Sequence, residues 1–308
     1  MILCCGEALI DMIPSTSDQG QTSFTPHAGG AVFNTAIALG RLGQDTGFVT
    51  GLSSDLFGEQ LAQALADSHV NCTHVIRSDR PTTLAFVQLT AGQARYTFYD
   101  ENTAGRSLTP DQLPTLGEDA QALYFGGISL ISEPCAEFYA ALAEREAASR
   151  LIMVDPNIRA AFVQDEARYR DRLQRMIAVA DIVKVSDEDL DWIVSGEDPL
   201  PEKARRLCEA GPRFVIVTRG AEGASAFWGA DETLDVPAQR VQIIDTVGAG
   251  DTFNAGVLAK LADLGHLSKS TVADIGADAL HQALTLGASV AAITVSRAGA
   301  NPPWAHEL

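Results

Sequence analysis

Short apolar runs alternate along the chain with segments whose apolar positions recur at helical spacing. The runs Leu3 to Ile10, Thr46 to Gly51, Ala122 to Gly126, Leu151 to Asp155, Ile182 to Val185 and Phe214 to Thr218 read as strands. Helical periodicity covers Ala31 to Leu42, Phe57 to Ser68, Glu133 to Ser149, Glu166 to Ala178 and Asp187 to Val194, then Asp251 to Leu264 and Ile275 to Ala292. Strands alternating with helices predict a doubly wound α/β fold, a mainly parallel sheet with helices on both faces. The unbroken run Phe214-Val215-Ile216-Val217 suits a strand buried on both sides.

Two stretches break this rhythm. Residues 12–27 are polar and hold turn formers. Residues 82–99 alternate through Leu84, Phe86 and Gln88, then Arg95, Tyr96, Thr97, Phe98 and Tyr99, around the turn Ala91-Gly92-Gln93. Period-two alternation around a turn predicts a hairpin with one half-exposed face. Together the two stretches read as a small β-sheet lid, residues 12–27 and 82–106. The α/β body is then 1–11, 28–81 and 107–308. An edge hairpin of the main sheet is the alternative reading.

Composition narrows the function classes. At 308 residues, 46% hydrophobic and 20% charged, the chain is an ordinary globular sequence with room for one large α/β domain. No segment is long and apolar enough to cross a bilayer. The first apolar run is short, lacks a basic flank and is broken by Gly6 and Glu7, so it reads as a strand and not as a signal peptide. A cytoplasmic location is the expectation. The net charge of −18, from 40 acidic and 22 basic residues, argues against a nucleic-acid partner. It does not exclude a nucleotide, because helix N-terminal amides bind phosphate without a basic surface. The five cysteines form no C-x-x-C pair and the six histidines no H-E-x-x-H, which points to buried thiols in a reducing compartment.

The densest chemistry lies in Asp245-Thr246-Val247-Gly248-Ala249-Gly250-Asp251-Thr252-Phe253, just ahead of and into a helix. Small residues at Gly248, Ala249 and Gly250 let backbone amides converge, and the helix dipole adds positive potential. The result is an anion hole suited to a transferring phosphoryl group. Asp251, on the first turn, can accept a proton from a hydroxyl in line with that phosphate. The plainer alternative is an Asp cap after a Gly-rich turn. There is no G-x-x-x-x-G-K-[ST] and no G-x-G-x-x-G after the first strand, which excludes a P-loop and weakens a dinucleotide site. A second glycine pair, Gly29-Gly30, opens the helix that carries Asn34. Asn34 offers a donor and an acceptor. Asp11 ends the first apolar run, where ligands of open α/β sheets bind, and its carboxylate can chelate two neighbouring sugar hydroxyls.

These segments resemble those of the ribokinase/PfkB-type carbohydrate kinases, and within them of bacterial fructokinases. Asp245 to Phe253 is similar to the family's C-terminal signature and Gly29 to Gly43 to its N-terminal one. Gly6-Glu7-Ala8-Leu9-Ile10-Asp11 and Lys184-Val185-Ser186-Asp187-Glu188-Asp189-Leu190 resemble fructokinase segments. The likeness runs from the first strand to about Pro302. It implies a β lid over the sugar, a homodimer formed through the lid, and ATP with Mg²⁺. It implies Asp251 as the base, with Gly248, Ala249 and Gly250 forming the anion hole. Asp11, Gly29, Gly30 and Asn34 would hold the sugar, with Arg159, and Arg106 on the lid, as candidate clamps for a substrate phosphate or carboxylate. Lys184, Ser186, Asp189, Thr218, Gly220, Gly223 and Thr246 would line the nucleotide. A potassium-sized ion would sit at Asp245 and Val247. The chain departs from the family at Ser186 and Asp189, where N-x-x-E is usual, and at Pro303 in the cation loop. The expected reaction is phosphorylation of D-fructose to fructose 6-phosphate. Kinases of the same fold acting on 2-keto-3-deoxygluconate, ribose or a nucleoside are the nearest alternatives. A non-catalytic sugar- or nucleotide-binding protein is the alternative of another class, and it has no need of Asp251.

Overall fold

The computed structural model describes residues 1–17, 19–90 and 93–308, and side chains outside 88–95. The elements are β1 (Ile2–Cys5), β2 (Leu9–Thr16), β3 (Thr22–Gly29), α1 (Ala31–Arg41), β4 (Thr46–Ser53), α2 (Leu56–Asp67), β5 (Val75–Ser78), β6 (Leu84–Thr90) and β7 (Gln93–Tyr99). They continue as β8 (Ala122–Gly126), α3 (Cys135–Glu146), β9 (Leu151–Asp155), α4 (Glu166–Val179), β10 (Ile182–Ser186), α5 (Asp187–Ile193), α6 (Leu200–Glu209) and β11 (Phe214–Thr218). The chain ends with β12 (Ala224–Trp228), β13 (Glu232–Val236), α7 (Ala249–Asp263) and α8 (Ala277–Val295).

Nine strands form one sheet in the order β13-β12-β11-β10-β9-β8-β1-β4-β5. All neighbours are parallel except β11–β12 and β12–β13. Alternation along β1 divides the core. Ile2 and Cys4 pack with residues of α1, α2, α7 and α8, while Leu3 and Cys5 pack with residues of α3, α4, α5 and α6. The doubly wound reading therefore holds. The order reverses between β1 and β8, which opens a crevice beyond the carboxyl ends of those strands.

The run Leu3 to Ile10 is not one strand. It leaves the large sheet after Cys5 and re-enters β structure at Leu9 in a separate four-stranded sheet, ordered β3-β2-β6-β7. Gly6 and Glu7 make the break. A Cβ at Gly6 would lie 2.4 Å from Val32 Cγ2, so the chain passes too close to α1 for a side chain there. The hairpin β6–β7 pairs Phe86 with Thr97 and belongs to this small sheet, not to an edge of the large one. Its turn at Ala91-Gly92 lies outside the described residues, as do the side chains of Gln88 and Arg95.

Candidate active site

The N-terminus of α7 is shaped by backbone constraint. Gly248 is its N-cap, at φ 79° in the left-handed region, and a Cβ there would stand 2.7 Å from Ala300 Cβ. Asp245 ties the approach down: one carboxylate oxygen accepts from Val247 N (3.0 Å), the other from Gly299 N (2.9 Å). First-turn amides have no helical acceptor and can face an anion. One of them, Ala249 N, already lies 3.3 Å from the Thr246 carbonyl oxygen.

Asp251 sits on that first turn and is buried. Asn34 Nδ2 donates to its Oδ2 at 2.9 Å, and Thr35 Oγ1 donates to its carbonyl oxygen at 3.0 Å. Burial pushes the Asp251 carboxyl up to about 7; the nearby Asp155 charge adds to the rise, while the Asn34 bond and Lys184 oppose it. A carboxylate poised there is a competent base near neutrality.

Beside it runs a buried polar chain. Lys184 Nζ donates to Asp155 Oδ2 (3.0 Å), and Asn254 Nδ2 donates to the same oxygen (2.7 Å) and to Tyr124 Oη (2.9 Å). Asn254 lies one helical turn past Asp251 on α7. The ammonium of Lys184 reaches the N-terminus of α7, since a Cβ on Gly250 would lie 3.2 Å from Nζ.

The opposite wall comes from the small sheet. Asp11 lies in β2, and burial pushes its carboxyl up to about 6. Gly29, paired with Leu9 in β3, lies on the same face, and a Cβ there would fall 2.2 Å from Asp11 Oδ2. Gly30 follows at φ 111°. Asp11, Gly30, Asn34, Arg159, Lys184 and the segment Thr246 to Asp251 line one cavity of about 360 Å³.

Seven predicted residues do not line it. Gly29 stands behind Asp11. Asp245 holds the loop beneath the helix. Asp189 accepts from Ile158 N (3.0 Å) and from Ser186 N (3.4 Å), and Ser186 Oγ accepts from Asp189 N (3.0 Å). That capping box spends both side chains on the start of α5 and on the loop after β9. Thr218 Oγ1 donates to the Val185 carbonyl oxygen (3.3 Å), at the paired ends of β10 and β11. Gly220 and Gly223 shape the turn that follows, and a Cβ at Gly223 would meet Val236 O at 2.1 Å. Arg159 lines the cavity but is exposed, its Nη1 turned back onto Asn157 Oδ1 at 2.7 Å.

Sequence reasoning missed Glu7, Asp155, Asn254, Tyr96 and Phe98, the last two closing the cavity from the small sheet. Asp155 had a legible signal, the carboxyl end of a predicted strand. Asn254 had another, the helical spacing from Asp251.

The sequence profile described as pfkB family carbohydrate kinase matches residues 1–307. The chain belongs to this family. It is thus a carbohydrate kinase, a phosphotransferase with an alcohol group as acceptor. The chain is 52% identical over 282 residues to a fructokinase of Rhizobium leguminosarum bv. trifolii, covering 91% of this chain and 85% of that protein. The crystal structure of a fructokinase with bound ATP from Xylella fastidiosa superimposes with a TM-score of 0.87 at 29% identity, covering 97% of this chain and 93% of that one. Aminoimidazole riboside kinase from Salmonella enterica, complexed with its riboside and an ATP analog, gives 0.80 at 26% identity, covering 97% and 94%.

Proposed function

We propose that this carbohydrate kinase transfers the γ-phosphoryl group of ATP to the 6-hydroxyl of D-fructose. The observation that carries the reading is the single cavity shared by Asp251, the α7 N-terminus, Asn34 and Asp11. Asp11 chelates two sugar hydroxyls, and Asn34, whose amide nitrogen orients Asp251, keeps its carbonyl for a third. Asp251 takes the proton of the attacking hydroxyl. The new O–P bond forms as the bond to ADP breaks, and the amides of α7 with Lys184 stabilise the charge in flight. The ends of β10 and β11, with Thr218, Gly220 and Gly223, form the shelf for the nucleotide. The small sheet acts as a lid, with Asp11, Tyr96 and Phe98 facing the sugar.

Charge supports a neutral acceptor. Glu7, Asp11, Asp155 and Asp251 face the cavity; of the two cations, Lys184 is paired with Asp155 and Arg159 is exposed. A carboxylate substrate such as 2-keto-3-deoxygluconate would meet four carboxyl groups, with Arg159 the one lining cation not paired to a carboxylate. The relative at 52% identity is itself a fructokinase.

Among the described residues no cluster of three or more Asp, Glu, His or Cys could hold a metal alone. A Mg²⁺ accompanying ATP would be held mainly by phosphates and water and would supply neutralising charge to the phosphates. Backbone oxygens around Asp245 and Val247, braced by the Asp245–Gly299 bond, suit a potassium-sized ion that would order the anion hole. An ATP-consumption assay over a sugar panel, in K⁺ and in a large organic cation, tests these readings together. Fructose should give the highest kcat/KM, with a faster rate in K⁺. A higher value for 2-keto-3-deoxygluconate or a riboside replaces the substrate, no consumption leaves a binding protein, and equal rates remove the cation.

We also propose a homodimer through the lid. Phe24, Phe86 and Tyr99 form an edge-to-face ladder with centroids 5.0 and 5.4 Å apart. It lies on the face opposite Phe98, and Tyr99 is 61% exposed. Light scattering of a monomer at about micromolar concentration, within the affinity range of specific complexes, would remove this element. The five free thiols suit a reducing compartment, and we assign the protein to the cytoplasm on that ground.

A further inference from the structure

We infer that Glu7 is a positioning residue: it closes the N-terminus of α1 from outside the helix and so fixes Asn34 against the base. The inference rests on Asp251 being that base. α1 begins at a glycine, Gly30, with no side-chain cap of its own, so its first amides lack a local acceptor. Glu7 supplies one from the loop after β1. Its Oε1 accepts from Ala31 N at 3.0 Å. Its Oε2 accepts from Ser129 N at 3.2 Å, in the turn after β8. One carboxylate thus ties the ends of the two strands that flank the crevice to the helix that carries Asn34.

The surroundings are built for this side chain. A Cβ at Gly127 would lie 2.0 Å from Glu7 Oε1, and one at Gly30 would lie 3.0 Å from the Glu7 carbonyl oxygen. Both glycines have positive φ, 69° and 111°. Glu7 is 8% exposed, lines the same cavity as Asp251, and makes no salt bridge among the described residues. A buried carboxylate is costly, but the cap position itself is a glycine at φ 111°, where a Ser or Thr would be strained, so the acceptor for the first amide has to come from outside the helix. Burial pushes the Glu7 carboxyl up, its bonds from Ser129 and the Ala31 amide oppose the rise, and in its ionised form it adds negative charge inside the site. The groups around Asp251 are Asn34 and Glu7 on the α1 side, Asp155 on β9, Lys184 on β10, and Asp11 and Tyr96 on the small sheet. Glu7 is one of the charges that make Asp251 harder to ionise, and hence a stronger base.

Glu7→Gln keeps the length, keeps one acceptor and removes the charge. Plateau kcat should fall about 10-fold through misplacement of Asn34. The acid limb of kcat/KM for fructose that lies near pH 7 should move to lower pH by roughly half a unit, because a like charge beside Asp251 has gone. A purely structural Glu7 would lower the melting temperature and leave the limb in place, and an unmoved limb overturns the inference. Should that variant not fold, Glu7→Asp keeps the charge but cannot span both amides. Its limb should stay while kcat drops, and an unchanged kcat overturns the inference. Near-wild-type turnover of Asp251→Asn would instead remove the base itself. An inactive Asp251→Asn with an unmoved Glu7→Gln limb removes Glu7 alone.

Discussion

Asp251→Asn is expected to lower kcat by about 10²–10⁴-fold, the typical contribution of a positioned base, while fold and ATP binding survive. Phosphoryl transfer asks the protein mainly for positioning and charge stabilisation, so a residual rate should remain. The replacement keeps the size of the side chain and an oxygen that can accept the Asn34 Nδ2 bond, now 2.9 Å long. The capping alternative makes a different forecast, a stability change of about 1 kcal/mol with turnover nearly intact. Geometry already disfavours it. The cap of α7 is Gly248, no side chain bonds its first amides, and the Asp251 carboxylate turns away to Asn34. The wild-type pH profile carries a second check. Because Asp251 is pushed up to about 7, it is increasingly protonated below neutrality and its base function is lost there. Activity should therefore fall through an acid limb near pH 7, and that limb should vanish from the residual activity of the Asn variant. Measuring kcat and melting temperature on this variant separates the two readings, and near-wild-type turnover with intact folding sinks the catalytic one.

The large sheet was legible because doubly buried strands are written as unbroken apolar runs, and every such run except the first became one strand of that sheet. The first failed for a reason that period and composition do not carry. Leu3 to Ile10 is apolar throughout save Gly6 and Glu7, yet those two residues send it from one sheet to another, through contacts with distant residues, the Val32 side chain and the Ala31 amide. β12, β13 and α6 were also missed. β13 (Glu232–Val236) is half exposed and polar, and α6 relies on Ala204 and Leu207, with the stem of a buried Lys203. The segment Gly248 to Asp251 was legible because its requirements are local: small residues, a left-handed turn and a carboxylate on one helical turn. Asp155 and Asn254 carried a positional signal, a strand end and a helical spacing, but their roles, like that of Glu7, lie in partners about 30 to 130 residues away. Asp189, which the resemblance places along the nucleotide, also has contacts its sequence does not reveal: its oxygens accept from the Ile158 and Ser186 amides at 3.0 and 3.4 Å.

Lys184→Met is expected to cost about 3–5 kcal/mol of stability, the usual result of removing one partner from a buried ion pair. Both side chains are almost wholly buried, 6% exposed for Lys184 and 2% for Asp155. Without the ammonium, Asp155 keeps Asn254 and the Asn157 amide as donors, too little to offset a buried charge. The penalty belongs to the orphaned anion, not to the pair as such. Lys184→Met with Asp155→Asn should therefore recover most of the loss, leaving an acceptor for Asn254 in place. Urea unfolding of the single and double variants measures this. Turnover should behave differently. The ammonium lies 3.2 Å from the position of a Cβ on Gly250, next to the amides we propose receive the transferring phosphoryl group. Neutralising Asp155 does not restore that positive charge. The double variant should be nearly as stable as the parent and still slow, by about 10²-fold if Lys184 acts like one donor of an oxyanion hole. A single variant that loses less than about 1 kcal/mol, the scale of an exposed pair, would mean that the pair is solvated and does not brace the site. A stable double variant with parental kcat would take Lys184 out of the reaction and leave the α7 amides alone in stabilising the charge.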